Sequence, residues 1–131
     1  MSAIKLFKAG DREFKQVPVA TGALNVARIV EDPLSDDLGA GIVEFEDISI
    51  PWTLNYNEVF YVLEGELRFR TDEGVTVGKP GDLIFIPEGT TFRYEASGRA
   101  RAFFALADTT KHEEERAVFE QSLKQVRKPE A

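Results

Sequence analysis

From residue 23 onward the chain is cut into short apolar runs, each closed by Gly, Pro, Asp or Asn, and the runs alternate in polarity with a period of two. In residues 41–50, for example, Ile42, Glu44 and Glu46 interleave with Val43 and Phe45. Such a stretch presents one apolar and one polar side as a strand, whereas a helix would need apolar positions three and four apart. Residues 23–30, 41–50, 58–63, 67–71, 75–77, 83–86, 92–95 and 100–107 therefore read as strands. Glu64, Gly65 and Glu66 read as the turn of a hairpin, and Asp72, Glu73 and Gly74 as a second turn. Breaks follow at Gly78 to Asp82 and at Pro87 to Gly89. About eight to ten short strands at this spacing predict an all-β antiparallel sandwich or barrel.

The period changes after residue 107. Thr110 and Glu113 can form a capping box, and Phe119, Leu123 and Val126 fall at helical spacing, with Lys124, Arg127 and Lys128 placed to suit a helix C-terminus. A C-terminal α-helix over residues 110–127 is expected to cover a sheet. His112 reads as an exposed neighbour of the helix cap. The 131 residues amount to a single domain, 1–131, with a core over about 23–107. Residues 1–22 carry Ile4, Leu6, Phe7, Phe14 and Val17 and are expected to form N-terminal strands at a homodimer interface.

Composition removes much chemistry. Net charge −7 opposes sequence-independent binding to nucleic acid or to anionic membranes. No Cys is present and there is one His, which excludes thiolate nucleophiles and sulfur-ligated zinc and removes the multi-histidine and Ser-His sites. No apolar run approaches the ~18 residues of a membrane span, and the first residues, MSAIKLFKAGDREF, lack a secretory apolar stretch, so a cytoplasmic protein is expected.

Two spaced motifs narrow the fold. Six residues separate Glu58 from Gly65; fifteen more lead to Gly81, which opens a Gly-x5-Pro-x-Gly pattern ending at Pro87 and Gly89. With PWTLNYNEVFYVLEGE at residues 51–66 and GKPGDLIFIPEGT at 78–90, the segment from about 40 to 107 resembles the cupins of the ethanolamine utilization protein Q family. The resemblance implies a cupin double-stranded β-helix, a jelly-roll barrel. It also implies the family's acetate kinase activity with nucleotide and magnesium, and a link to ethanolamine breakdown. Where the family reads LNYDE this chain reads LNYNE, so the expected pocket is less acidic.

In metal-dependent cupins the positions held here by Trp52, Leu54 and Phe92 carry His, with Glu58 as the fourth ligand. Only Glu58 matches, so neither a metal nor another cofactor is expected. If the resemblance fixes direction, Trp52, Leu54, Glu58, Phe60 and Phe92 point into the barrel, and alternation adds Tyr94 and either Glu44 or Glu46. An acid in an aromatic box suits two uses. One is acid/base catalysis by Glu58 on a small metabolite, of isomerase, dehydratase or lyase type, assisted by Tyr56, Tyr94 and Glu44, with Trp52, Leu54, Asn55, Phe60 and Phe92 binding substrate. The other is a cage in which rings face a ligand ammonium, as in a non-catalytic binding or accessory module of amine catabolism. Glu58 could instead be a structural carboxylate bonded to Tyr56, Asn55 or Asn57. Arg68 and Arg70 read as a solvated face, and Arg93, Arg99 and Arg101 as a cluster able to take an anion.

Overall fold

In a computed structural model, which describes residues 4–107, the strands appear where polarity alternates. They are β1 (Lys15–Val17), β2 (Ala23–Val30), β3 (Leu38–Thr53), β4 (Glu58–Glu64), β5 (Leu67–Thr71), β6 (Gly74–Gly78), β7 (Leu83–Ile86) and β8 (Thr91–Ala107), preceded by one 3-10 turn at Ala9–Asp11. The expected helix over 110–127 and His112 lie outside the described residues.

The two longest strands organise the rest. β3 and β8 pair antiparallel along their whole length, from Leu38 opposite Ala107 to Thr53 opposite Thr91. One half of this ribbon continues as β1-β2-β3-β8-β4-β7, and the other half of β8 carries β5 and then β6. The result is a jelly roll whose two layers meet on aromatic rings. Phe45 and Phe60 come from the first layer and Phe69 and Tyr94 from the second, with centroids 5.4 Å apart for Phe60 and Phe69 and 5.5 Å for Phe45 and Tyr94. Such tilted pairs fill a taper that aliphatic residues would leave loose.

Three sequence readings need correcting. Residues 92–95 and 100–107 are one strand, because Gly98 bends β8 without breaking it. The N-terminal strands reduce to the three-residue edge strand β1, which pairs with β2. Finally, β4 and β5 do not form a hairpin. Both run beside β8, β4 opposite residues 101–106 and β5 opposite residues 93–95, and Gly65 is the corner where the chain passes from one layer to the other. At φ 75° its backbone approaches the Arg99 carbonyl too closely for a side chain. The hairpin in this region is β5–β6, closed at Asp72 and Glu73.

A bulge in β3 bears directly on the site. Register slips between Glu46 and Ile48, and Asp47 takes a φ of 49° while its carboxylate accepts the Gly98 N–H at 2.7 Å. Across the slip β3 takes two residue steps against three in β8, and this one-residue mismatch reverses the alternation of β3. Val43 and Phe45 face the core before it; Ile48, Ile50 and the partly buried Trp52 pack there after it. No helix among the described residues is long and apolar enough to cross a membrane.

Candidate functional site

Glu58 opens β4, whose inward phase continues through Phe60 and Val62, so the same alternation that buries those apolar residues carries a carboxyl group into the barrel. Only 6% of it is exposed, and it is the one charged residue type among the buried positions described. It lines a cavity of about 60 Å3. A water needs roughly 10–15 Å3 measured this way, so several waters or a small organic molecule fit. Tyr56, Phe60 and Tyr94 share the lining with Glu58, and Trp52 lies at its edge. Leu24, Val43, Phe45, Phe104 and Leu106 are buried and apolar, whereas Val26, Arg28 and Trp52 are partly exposed and mark the open side.

Burial raises the Glu58 carboxyl from 4.5 to about 8, against a smaller opposing pull from Arg28. At neutral pH it is therefore a protonated acid. The Tyr94 phenol is pushed well above its usual value, first by burial and then by Glu58 and Tyr56, so it too keeps its proton. Arg28 remains charged at every relevant pH. Its guanidinium stands 5.8 Å from the centroid of Phe104.

Five of the nine residues named in advance line this cavity: Trp52, Tyr56, Glu58, Phe60 and Tyr94. Four do not. Leu54 is buried at the end of the barrel, its N–H donating to the Thr90 carbonyl and its own carbonyl accepting from Gly89. Phe92 is buried two residues before Tyr94 on the same phase of β8 and meets it edge-on at 4.7 Å, packing against that ring without lining the cavity. Asn55 is exposed. Glu44 precedes the bulge, in the phase opposite to Val43 and Phe45, and lies on the outer surface with Arg99 at 3.3 Å and Arg101 at 3.4 Å. Glu44 and Trp52 could not both point inward, because the bulge between them reverses the strand.

The arginines expected to gather an anion are held by protein groups. Arg101 also reaches Glu64 at 2.9 Å, and Arg93 donates to the carbonyl and hydroxyl of Ser49. Arg68 pairs with Glu66 and Arg70 with Glu95, as a solvated face would. Asn57 uses its side-chain carbonyl to accept the Glu88 N–H at 2.8 Å, pinning the loop after β7 to the start of β4.

Arg28 was not anticipated. Its signal is a charge in the apolar phase of β2, where Leu24 and Val26 precede it at intervals of two. As oxygen donors the cavity offers one carboxyl group and two phenols, beside a guanidinium, and that set does not fit a divalent metal. Among the described residues no group of three or more His, Cys, Asp or Glu comes together.

The profile of a family described as Ethanolamine utilisation protein EutQ matches residues 2–109. A curated relative from Escherichia coli K12, named Acetate kinase EutQ, is 36% identical over 67 residues, which are 51% of this chain and 29% of that protein. A crystal structure of a putative ethanolamine utilization protein Q from Salmonella typhimurium LT2 superposes with a TM-score of 0.72 at 28% identity, covering 82% of this chain and 87% of that one. An RmlC-like cupin from Shewanella frigidimarina superposes at 0.69 with 15% identity, over 84% of this chain and 96% of that one, a likeness of fold.

Proposed function

The chain belongs to the ethanolamine utilisation protein EutQ family and has its cupin fold, and on that premise we propose that it performs acid/base chemistry on a small metabolite held in the barrel, with Glu58 as the proton-transferring group. The observation that carries this is a carboxyl group buried inside an aromatic cavity that opens to solvent beside Arg28, the burial pushing its pKa up to about 8. An acid whose affinity for its proton lies near the working pH both gives and retakes it readily. In an isomerisation, dehydration or elimination the ionised fraction of Glu58 would take the proton from the carbon next to a carbonyl and, then protonated, return it to carbon or to the leaving oxygen, while the Tyr94 and Tyr56 hydroxyls donate hydrogen bonds to the oxyanion that develops. Trp52 and Phe60 would pack on the substrate's apolar part.

Hydrogen-for-deuterium exchange at the carbon next to the carbonyl of pyruvate and phenylpyruvate, followed by proton NMR in heavy water, tests this reading. Exchange above the buffer rate is expected with the wild-type protein, and Glu58→Gln should cut it by ~100-fold or more. Equal rates for both proteins, or none above buffer, would sink the catalytic reading and favour a binding or accessory cupin.

The relatives' printed acetate kinase activity is not taken over. This chain spans 29% of the E. coli relative, and its cavity, lined mainly by rings and aliphatic side chains, offers no carboxylate pair for a nucleotide's magnesium.

The partner expected for residues 1–22 is a second copy. Ile4 and Leu6 stand almost wholly in solvent and Phe7 is half exposed, an apolar arm that nothing in its own chain covers among the described residues. Sedimentation velocity is expected to give a dimer at micromolar concentration, and Leu6→Asp to shift it toward monomer. A monomer throughout that range would end this part of the proposal.

A further inference from the structure

The outer side of the first layer carries too little charge for a surface left to water. Glu58, Phe60 and Val62 point into the barrel, so Val59 and Tyr61 of the same strand point out. Register then lays two rows of neighbouring residues across the sheet. Leu83 of β7 lies opposite Tyr61 of β4, Tyr61 opposite Phe103 of β8, and Phe103 opposite Ile42 of β3. In the same order the next row reads Phe85, Val59, Ala105 and Ala40. None of these eight positions carries a charge, although 30% of the chain's residues do. Leu83 and Phe85 are 65% and 59% exposed, Tyr61 and Phe103 are exposed beside them, and Leu38 extends the patch past the second row.

One border of the patch is charged and internally paired. Glu64, Arg101 and Glu44 lie side by side on β4, β8 and β3, and Arg101 reaches both carboxylates. An apolar centre beside a polar rim is the anatomy of a protein interface. The five exposed large side chains present on the order of 500 Å2, near the upper end of what a monomer leaves bare. That alone falls short of the ~800 Å2 per partner of a standard interface. The exposed arm of Ile4, Leu6 and Phe7 offers a similar area, and the two together reach it.

We propose that the outer face of β7, β4 and β8 is the surface on which two copies of this chain pack, sheet against sheet. The inference rests on the reading of residues 1–22 as a dimer arm and names the surface that the second copy meets. A second copy suits this face for an electrostatic reason. Each copy carries −7, and in a twofold interface a patch meets itself, so a charge near the axis faces its own sign. The two rows hold no charge, and at their border Arg101 is already shared between two carboxylates. A twofold axis parallel to the strands, midway between sheets about 10 Å apart, also sets the β1 edge of one copy over β7 of the other, because β1 and β7 are the opposite edges of the layer. The arm leaves from β1, so each copy's arm would fall on the part of the face that its partner leaves most exposed.

Sedimentation equilibrium of the full chain tests the surface. Phe85→Lys and Leu83→Lys are each expected to weaken the dimer ~10-fold or more, whereas Val77→Lys, at an exposed apolar position on β6 in the other layer, should change it by less than about 3-fold. A dimer that both face variants leave as tight as wild type would overturn the inference and leave the arm reading to be judged by Leu6→Asp alone. A wild-type monomer would end both, and a lowered Tm of its face variants would then assign the face to residues 108–131 of the same chain. Nitration of the wild type by tetranitromethane needs no variant. Tyr61 is exposed while Tyr56 and Tyr94 are buried, so peptide mapping should find Tyr61 modified in dilute solution and protected ~5-fold or more where the dimer dominates. Equal Tyr61 rates in monomer and dimer would overturn the inference even if the lysine variants fail to fold.

Discussion

Glu58→Gln is expected to make the protein more stable than wild type at about pH 9, and by an amount that grows steadily from about pH 4.5 to about pH 8. The ordinary carboxyl value is 4.5 and the folded value about 8. Below 4.5 the group is protonated in both states and contributes no pH dependence. Between the two values the unfolded chain releases its proton while the folded chain keeps it, so folding loses ~1.4 kcal/mol for each unit of rising pH. Above about 8 the loss is complete and amounts to on the order of 3–5 kcal/mol. Gln fills nearly the same space and does not ionise, so its curve lacks this slope. Urea titrations of both proteins across this range should therefore nearly coincide at about pH 4.5 and separate by several kcal/mol at about pH 9, or by ~10 °C in Tm. Parallel curves across the whole range would mean that Glu58 titrates as an ordinary exposed acid, and the basis for proton transfer in the barrel would be gone.

Gly65→Ala should be the most damaging single-methyl change in the segment that shapes the site. A Cβ at that position would lie 2.1 Å from the Arg99 carbonyl oxygen and 2.9 Å from the Ala100 Cα, both backbone atoms of β8 that cannot rotate away. The residue also holds a φ of 75°, which costs a residue with a side chain ~1–2 kcal/mol before any clash. Relief requires β4 and β8 to part at the crossing between layers, so a total of about 4 kcal/mol or more is expected. Gly89→Ala is the matched control. Its φ is 90°, but nothing lies within 4 Å of the added carbon, so conformational strain of ~1–2 kcal/mol is all that remains. Thermal melts of the two variants check this: a Gly65→Ala loss no larger than that of Gly89→Ala would show that the corner at Gly65 is not sterically closed. If Gly65→Ala yields no folded protein, Gly65→Asn separates the two causes, because Asn tolerates the positive φ but meets the same oxygen.

The all-β antiparallel class was legible because period-two alternation and turn residues are local properties, and several strand bounds, those of β2, β5 and β7, follow from them alone, whereas the jelly roll came from the resemblance carried by the two spaced motifs. The inward direction of Glu58 and Phe60 came from the resemblance carried by the two spaced motifs, and alternation added Tyr94, which shares a phase with apolar neighbours on an unbroken stretch. Even the β3 bulge left a trace: the apolar positions move from Val43 and Phe45 to Ile48 and Ile50, from odd to even. Alternation by itself does not say on which side of the slip a given carboxylate falls, and Glu44 was misplaced for that reason.

What the sequence determined by itself was the fold class, the glutamate in the barrel and the absence of a histidine set for metal, because residue identity and spacing carry those. The tertiary structure alone decided that Gly65 is a crossing between layers and not a hairpin turn, that Phe92 and Leu54 are buried outside the cavity lining, and that Arg28 belongs to it. Each depends on which strands become neighbours. The pairing of β4 with β8 rather than β5 and the convergence of β2, β4 and β8 on one cavity join residues up to about 80 positions apart. The value of the Glu58 proton follows from that convergence, since desolvation arises only when walls from distant parts of the chain close around the carboxyl group.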